Sequence, residues 1–172
     1  GHGTVVTGTG GSGRRIRVHP GHDPALGRQG SEMADPERLT IGIDVGGTSI
    51  RAAVVDGSGT IVDSVRAATP ASADALEDAL DRAVKELSCR HDVVAVGLAV
   101  AGFLTVDRRT VLFAPHLAWV DAPVAQRLSE RFALPVVLEH DANAAAWAEY
   151  RFGSAAGART VVLVAIGTGI GA

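Results

Sequence analysis

The stretch Ile41-Gly42-Ile43-Asp44-Val45-Gly46-Gly47-Thr48 runs β-branched residues into an acidic strand end, two glycines and a hydroxyl. Working outward, Leu39 to Val45 reads as an apolar strand punctuated by Gly46 and Gly47. Ile50 to Asp56 and Thr60 to Arg66 follow as strands separated by Asp56-Gly57-Ser58-Gly59, which gives two antiparallel hairpins. Asp74 to Cys89 places Leu76, Leu80, Ala83, Val84 and Leu87 on one helical stripe, with Glu77, Asp81, Lys85 and Glu86 largely off it. Val93 to Val100 is almost wholly apolar, as expected of a mid-sheet strand covered on both faces. An irregular stretch leads to Trp119. Asp121 then stands where it can cap a helix through about Phe132, with Val124, Leu128 and Phe132 inward. Val136 to Glu139 is a strand, Ala142 to Phe152 an Ala-rich helix and Thr160 to Ile166 a further strand. Three strands followed by alternating helices and strands describe an α/β domain with a mixed sheet, with no internal repeat.

The first glycine turn is suited to phosphate chemistry. Glycines let backbone N–H groups approach a phosphate, the Thr48 hydroxyl adds a donor, and the Asp44 carboxylate can hold Mg²⁺ directly or through water. The glycines alone are equally compatible with an ordinary Gly-Gly hairpin. Gly167-Thr168-Gly169-Ile170-Gly171, after another apolar strand, adds a second Gly/Thr turn, and the pair reads as a two-jawed phosphate clamp. Asp141 lies at the carboxyl end of the 136–139 strand and at the start of a helix, where ligands collect in open α/β sheets. A helix start lowers a carboxylate's pKa and keeps it ionised, and a plain helix N-cap is the alternative role for this residue.

Composition narrows the classes. The chain has 172 residues, 47% of them hydrophobic and 20% charged, with a formal net charge of -3, which fits a globular protein with a real core. The near-neutral balance argues against a large nucleic-acid footprint. No apolar run approaches the ~20 residues of a membrane helix, and no secretory h-region opens the chain, so no membrane partner is expected. The single Cys89 excludes an internal disulfide or a Cys-rich metal cluster and points to a reducing, cytoplasmic setting.

The two ends differ from the middle. Residues 1–32 are rich in Gly, His and Arg and read as disordered or as a non-native extension, with Met33 placed like a native initiator. The only Lys, Lys85, against fifteen Arg suggests a GC-rich coding source, in which open upstream frames are common. At the other end the chain stops inside the second glycine turn, so it reads as a fragment.

Five segments together carry a family resemblance: Ile41 to Val55 (IGIDVGGTSIRAAVV), Val96 to Phe103 (VGLAVAGF), Leu112 to Trp119 (LFAPHLAW), Leu138 to Gly153 (LEHDANAAAWAEYRFG) and Val164 to Gly171 (VAIGTGIG). In order and spacing they resemble the ROK family of sugar kinases, and among these the actinobacterial-type glucokinases, over Met33 to Ala172. The resemblance implies the actin-like, hexokinase-like (ribonuclease H-like) architecture, in which two α/β lobes close over sugar and ATP. Residues 33 to about 145 would form the N-terminal lobe and 146–172 the truncated beginning of the second. It also implies ATP-dependent transfer of a phosphoryl group to a hexose, foremost the 6-OH of glucose, with ATP and Mg²⁺ as cofactors. Hexose and nucleotide are the small-molecule partners, and full-length members commonly form homo-oligomers.

Residue by residue, the resemblance makes Asp141 the general base that accepts the sugar hydroxyl proton, the kind of orienting task phosphoryl transfer asks of a protein. Gly46, Gly47, Thr48, Gly167, Thr168 and Gly169 bind nucleotide phosphates, and Gly102, His116 and His140 join Asp141 on the sugar. Asn143 is expected to tether local backbone. Three departures stand out. Ser49 replaces a frequent lysine after Gly-Gly-Thr, which leaves charge neutralisation to Mg²⁺ and the backbone. His116 and His140 stand where asparagines are frequent, and an imidazole offers one donor and one acceptor in a bulkier, ionisable ring. The sugar's identity therefore stays open between glucose and others, including N-acetylated amino sugars, and the donor between ATP and polyphosphate.

The other class with this core is the sugar-responsive ROK repressor. Its winged helix precedes the core, and residues 1–32 are too short and Gly-rich to form one. The adenosine pocket, the remaining sugar ligands and a structural Zn²⁺ motif would fall beyond residue 172, so the 172 residues alone are expected to be inactive. Gly8 to Gly13 matches a dinucleotide motif without the helix that must follow. His19 and His22 could bind metal adventitiously, and Trp119 and Trp147 read as packing residues.

Overall fold

The computed structural model describes residues 4–9, 38–166 and 170–171. In chain order its elements are β1 (Thr4–Thr9), β2 (Leu39–Val45), β3 (Ser49–Val55), β4 (Ile61–Ala68), α1 (Ala73–Ser88), β5 (Val93–Val100), β6 (Phe103–Leu104), β7 (Val111–Phe113), β8 (Val120–Ala122), α2 (Val124–Phe132), β9 (Val136–His140), α3 (Asp141–Phe152), β10 (Val161–Ile166) and β11 (Ile170–Gly171). They divide into two compact units, residues 35–141 and residues 142–172 together with 1–34.

The larger unit is built on a five-stranded mixed sheet in the order β4-β3-β2-β5-β9. β4, β3 and β2 run antiparallel, while β2, β5 and β9 are parallel. The first hairpin forms because Gly46 and Gly47 end β2 abruptly. The second forms because Asp56 nucleates its own turn: its Oδ1 accepts from the Ser58 and Thr60 backbone N–H groups, each at 2.9 Å, and Gly59 takes the positive φ of 86°. Alternation then sorts each strand into two faces. Ile41, Ile43, Val45, Ile50, Ala52, Val54, Val96, Leu98, Val100 and Leu138 are buried in a core completed by Leu76, Leu80, Val84 and Leu87 of α1 and by Val124 and Leu128 of α2. Each Val, Leu or Ile side chain among these contributes about 1.5–3 kcal/mol when taken out of water.

α1 starts where expected, with the Ser72 hydroxyl accepting from Ala75 N–H at 3.3 Å. Several expectations give way to tertiary context. Glu77 and Asp81, assigned off the apolar stripe, are buried, because Arg127 of α2 reaches Glu77 at 2.7 Å and Arg131 approaches Asp81 at 3.6 Å. β5 is central, but the core covers only one of its faces; on the other, Gly97 is exposed. Asp121 does not cap α2. It lies in β8 with φ 46°, and the cap position is Pro123, which makes no side-chain cap bond. The irregular stretch before it holds β6 and β7, which form a three-stranded sheet with β8.

In the smaller unit β10 pairs in parallel with β1 and antiparallel with β11. Thr4–Thr9 is therefore a strand within a leading segment read as disordered; its β-branched Thr-Val-Val-Thr run has the composition strands favour. The rest of 1–32 lies outside the described residues. Trp147 stacks edge-on to Phe152 with centroids 5.8 Å apart. Among the described residues no helix is long and apolar enough to cross a membrane.

Candidate active site

Parallel β2, β5 and β9 end at one edge of the sheet, which places the segments following them side by side. In register Asp44 stands beside Ala99 and Ala99 beside Glu139, and one residue on Val45, Val100 and His140 align. The Gly46–Thr48 turn, Gly102 and Asp141 follow immediately. All of this lies within the larger unit, at the carboxyl ends of parallel strands where open α/β sheets bind ligands.

The glycine turn is tightly tied. Gly46 N–H donates to the Ser49 carbonyl at 3.1 Å, and the Thr69 hydroxyl donates to the Gly46 carbonyl at 2.6 Å. Neither Gly46 nor Gly47 takes a positive φ, so glycine is needed here for space. A Cβ on Gly47 would lie 2.7 Å from the His116 Cβ, so the segment carrying His116 packs directly on this turn. Gly102 is likewise placed by packing: it is buried, and a Cβ there would meet the Phe113 carbonyl at 2.8 Å and the Ala114 Cβ at 2.9 Å. Thus Gly47, Gly102 and His116, far apart in sequence, belong to one contact chain.

Asp44 projects from the exposed face of β2. Partial burial raises its pKa above the ordinary 3.8; Arg51, its cross-strand partner, opposes the rise and the charge of Asp141 adds to it. A carboxylate whose charge is only partly compensated suits a hard cation, whose preferred ligands are oxygens. Among the described residues no group of three or more His, Cys, Asp or Glu side chains comes together for a metal, and Asp44 is the carboxylate that could hold one.

Asp141 opens α3 and is half-buried, with its Oδ1 3.2 Å from the His140 Nδ1. Behind it, Glu139 accepts from the His140 backbone N–H at 2.9 Å and pairs with Arg108 at 2.6 Å, which fastens the end of β9 to the turn between β6 and β7. Thr69, Arg51, Arg108 and Glu139 were not anticipated as site residues. Arg51 was within reach, since a tight turn at 46–48 sets it opposite Asp44. No local pattern announces Arg108 or Thr69. Gly167, Thr168 and Gly169, the second half of the expected clamp, lie outside the described residues.

The sequence signature of the ROK family matches residues 40–172. The chain belongs to the ROK family. It is 46% identical over 133 residues to a glucokinase of Streptomyces coelicolor, covering 77% of this chain and 42% of that protein. It is 30% identical over 138 residues to the xylose repressor of Bacillus subtilis, covering 77% of this chain and 36% of that protein. Among solved structures, a ROK glucokinase from Streptomyces griseus in complex with glucose and AMPPNP matches with a TM-score of 0.74 at 49% identity, over 77% of this chain and 43% of that one. An inorganic polyphosphate/ATP-glucomannokinase from Arthrobacter sp. strain KM matches with a TM-score of 0.70 at 34% identity, over 78% and 56%. The chain thus spans less than half the length of the curated relatives it matches. The expected mixed-sheet, actin-like fold of a ROK sugar kinase holds.

Proposed function

We propose that the protein containing this chain phosphorylates a hexose with ATP, glucose at its 6-OH being the foremost acceptor, and that Asp141 is the general base. The observation that carries this reading is the convergence of the Gly46–Thr48 turn, His116, Gly102 and Asp141 at one sheet edge, in a fold shared with a kinase solved with glucose and AMPPNP. In the reaction the sugar hydroxyl gives its proton to the Asp141 carboxylate as its oxygen bonds to the γ-phosphorus. The bond from that phosphorus to the bridging oxygen breaks and ADP leaves. His140 sets the orientation of the accepting carboxylate. Since Gly46 N–H is bound within its turn, the phosphate-facing donors here are the Gly47 and Thr48 N–H groups and the Thr48 hydroxyl. Mg²⁺ held at Asp44 would neutralise phosphate charge, a task no lysine of this turn performs.

Asp141→Asn tests the assignment in the whole protein. Removing a general base lowers kcat by about 10²–10⁴-fold, with the sugar dissociation constant changed little; an unchanged kcat would sink it. His116 and His140 bear on which sugar fits, and the glucomannokinase neighbour keeps mannose and polyphosphate on the assay panel. A second reading, a sugar-responsive repressor, is favoured by the likeness to the xylose repressor. Sequence-specific retardation of DNA without turnover of any sugar would decide for it.

A further inference from the structure

The segment Ala114–Trp119 has a foot in the core. Ala114 and Trp119 are buried, while Pro115, His116 and Ala118 are exposed. Trp119 is among the largest fully buried side chains, and its indole N–H donates to Oε1 of Glu77 at 3.3 Å, the same oxygen that Arg127 reaches at 2.7 Å. Glu77 sits on α1, is only 9% exposed, and is separated from Trp119 by 42 positions in sequence. Packing alone does not require a carboxylate there, because an apolar side chain of similar volume fills a core at least as well as a buried ion. Besides the ion pair with Arg127, the carboxylate adds one defined acceptor for the indole N–H, and so one seat for the ring. At the segment's outer end His116 rests against Gly47 with no room for a methyl group between them.

We propose that Glu77 and Trp119 are positioning residues that set the height of His116 over the Gly46–Thr48 turn, and with it the fit of the sugar. The proposal rests on the sugar-kinase reading for its functional half and on the packing alone for its structural half. Trp119→Phe keeps the buried ring and deletes the N–H. Glu77→Leu deletes the acceptor, and Glu77→Gln retains an acceptor oxygen at the same place.

The experiment has two arms. In the full chain, amide exchange at Leu117, whose N–H donates to the Ala114 carbonyl at 3.1 Å, should quicken about tenfold in Trp119→Phe and Glu77→Leu and stay within about threefold of the parent in Glu77→Gln. In turnover by the whole protein, KM for the sugar should rise about five- to tenfold in the first two variants, with kcat and KM for ATP within about twofold, and Glu77→Gln should restore it. Unchanged exchange at Leu117 would overturn the proposal. So would sugar and ATP KM values rising together, the mark of general destabilisation. Should the parent turn over no sugar, the kinase reading fails, and the exchange arm still decides whether the indole bond holds the segment.

Discussion

Asp44 occupies a place its own charge disfavours. Its carboxyl binds a proton more tightly folded than unfolded, because burial and Asp141 together outweigh Arg51. The ionised side chain therefore subtracts stability as pH rises above the ordinary value of 3.8, in full once pH passes the raised folded pKa, and nothing at lower pH. Asp44→Asn should accordingly melt above the parent at pH 7 and level with it at pH 3, while abolishing Mg²⁺-dependent turnover. Thermal melts at the two pH values check the first half, and a parent as stable as the variant at pH 7 would contradict it. An acid and two glycines at 44–47 were legible from residue types as a candidate site. The reason position 47 must be glycine was not, because it lies in the His116 segment some seventy positions away. Gly102 and Gly97 separate the two uses of glycine. Gly102→Ala should cost about 1–3 kcal/mol through the clash with Phe113 and Ala114. Gly97→Ala, with nothing within 4 Å of the added methyl, should be neutral or stabilising by up to about 1 kcal/mol. Denaturant titration of the two variants measures both.

Elements whose patterns run for seven or more residues were readable. β2 follows from the alternation of Ile41, Ile43 and Val45, and α1 from its 3.6-residue stripe, whereas its Ser72 cap was not read. β6, β7 and β8 are two or three residues long, too short for any period to show. Asp121 has the residue type of a helix cap, yet strand pairing of Val120 with Phe113 and Ala122 with Val111 claims the backbone first. The end of α2 carries a local conflict that can be relieved. Ala133 closes the helix with φ 54°, a left-handed conformation that costs a residue with a Cβ about 1–2 kcal/mol. Ala133→Gly should recover about 1 kcal/mol of this, read as a higher denaturant midpoint with an unchanged m-value. Under the sheet, Leu80 has no exposed surface, and Leu80→Ala should lose about 2–5 kcal/mol. A loss below about 1 kcal/mol would mean that α1 is not seated as described.

For the molecule as a whole, strand order places chemistry. Three parallel strands in the order β2-β5-β9 deliver the glycine turn, Gly102 and Asp141 to one edge; Asp141 was read at the end of the 136–139 strand, but not the glycine turn and Gly102 beside it. What sequence could not supply is the lateral ties: Arg108 to Glu139, Thr69 to Gly46, and Glu77 to Trp119 span 31, 23 and 42 positions, and nothing local marks either partner. The reaction we propose at this edge is phosphoryl transfer from ATP to a hexose with Asp141 as the proton acceptor. The most direct test is coupled ADP release by the whole protein with glucose, mannose, fructose, N-acetylglucosamine and N-acetylmannosamine, for the parent and Asp141→Asn side by side. The expected result is rapid turnover with glucose and ATP in the parent, reduced about 10²–10⁴-fold in the variant. Silence of a correctly folded parent on every sugar, or equal turnover by the variant, would contradict it.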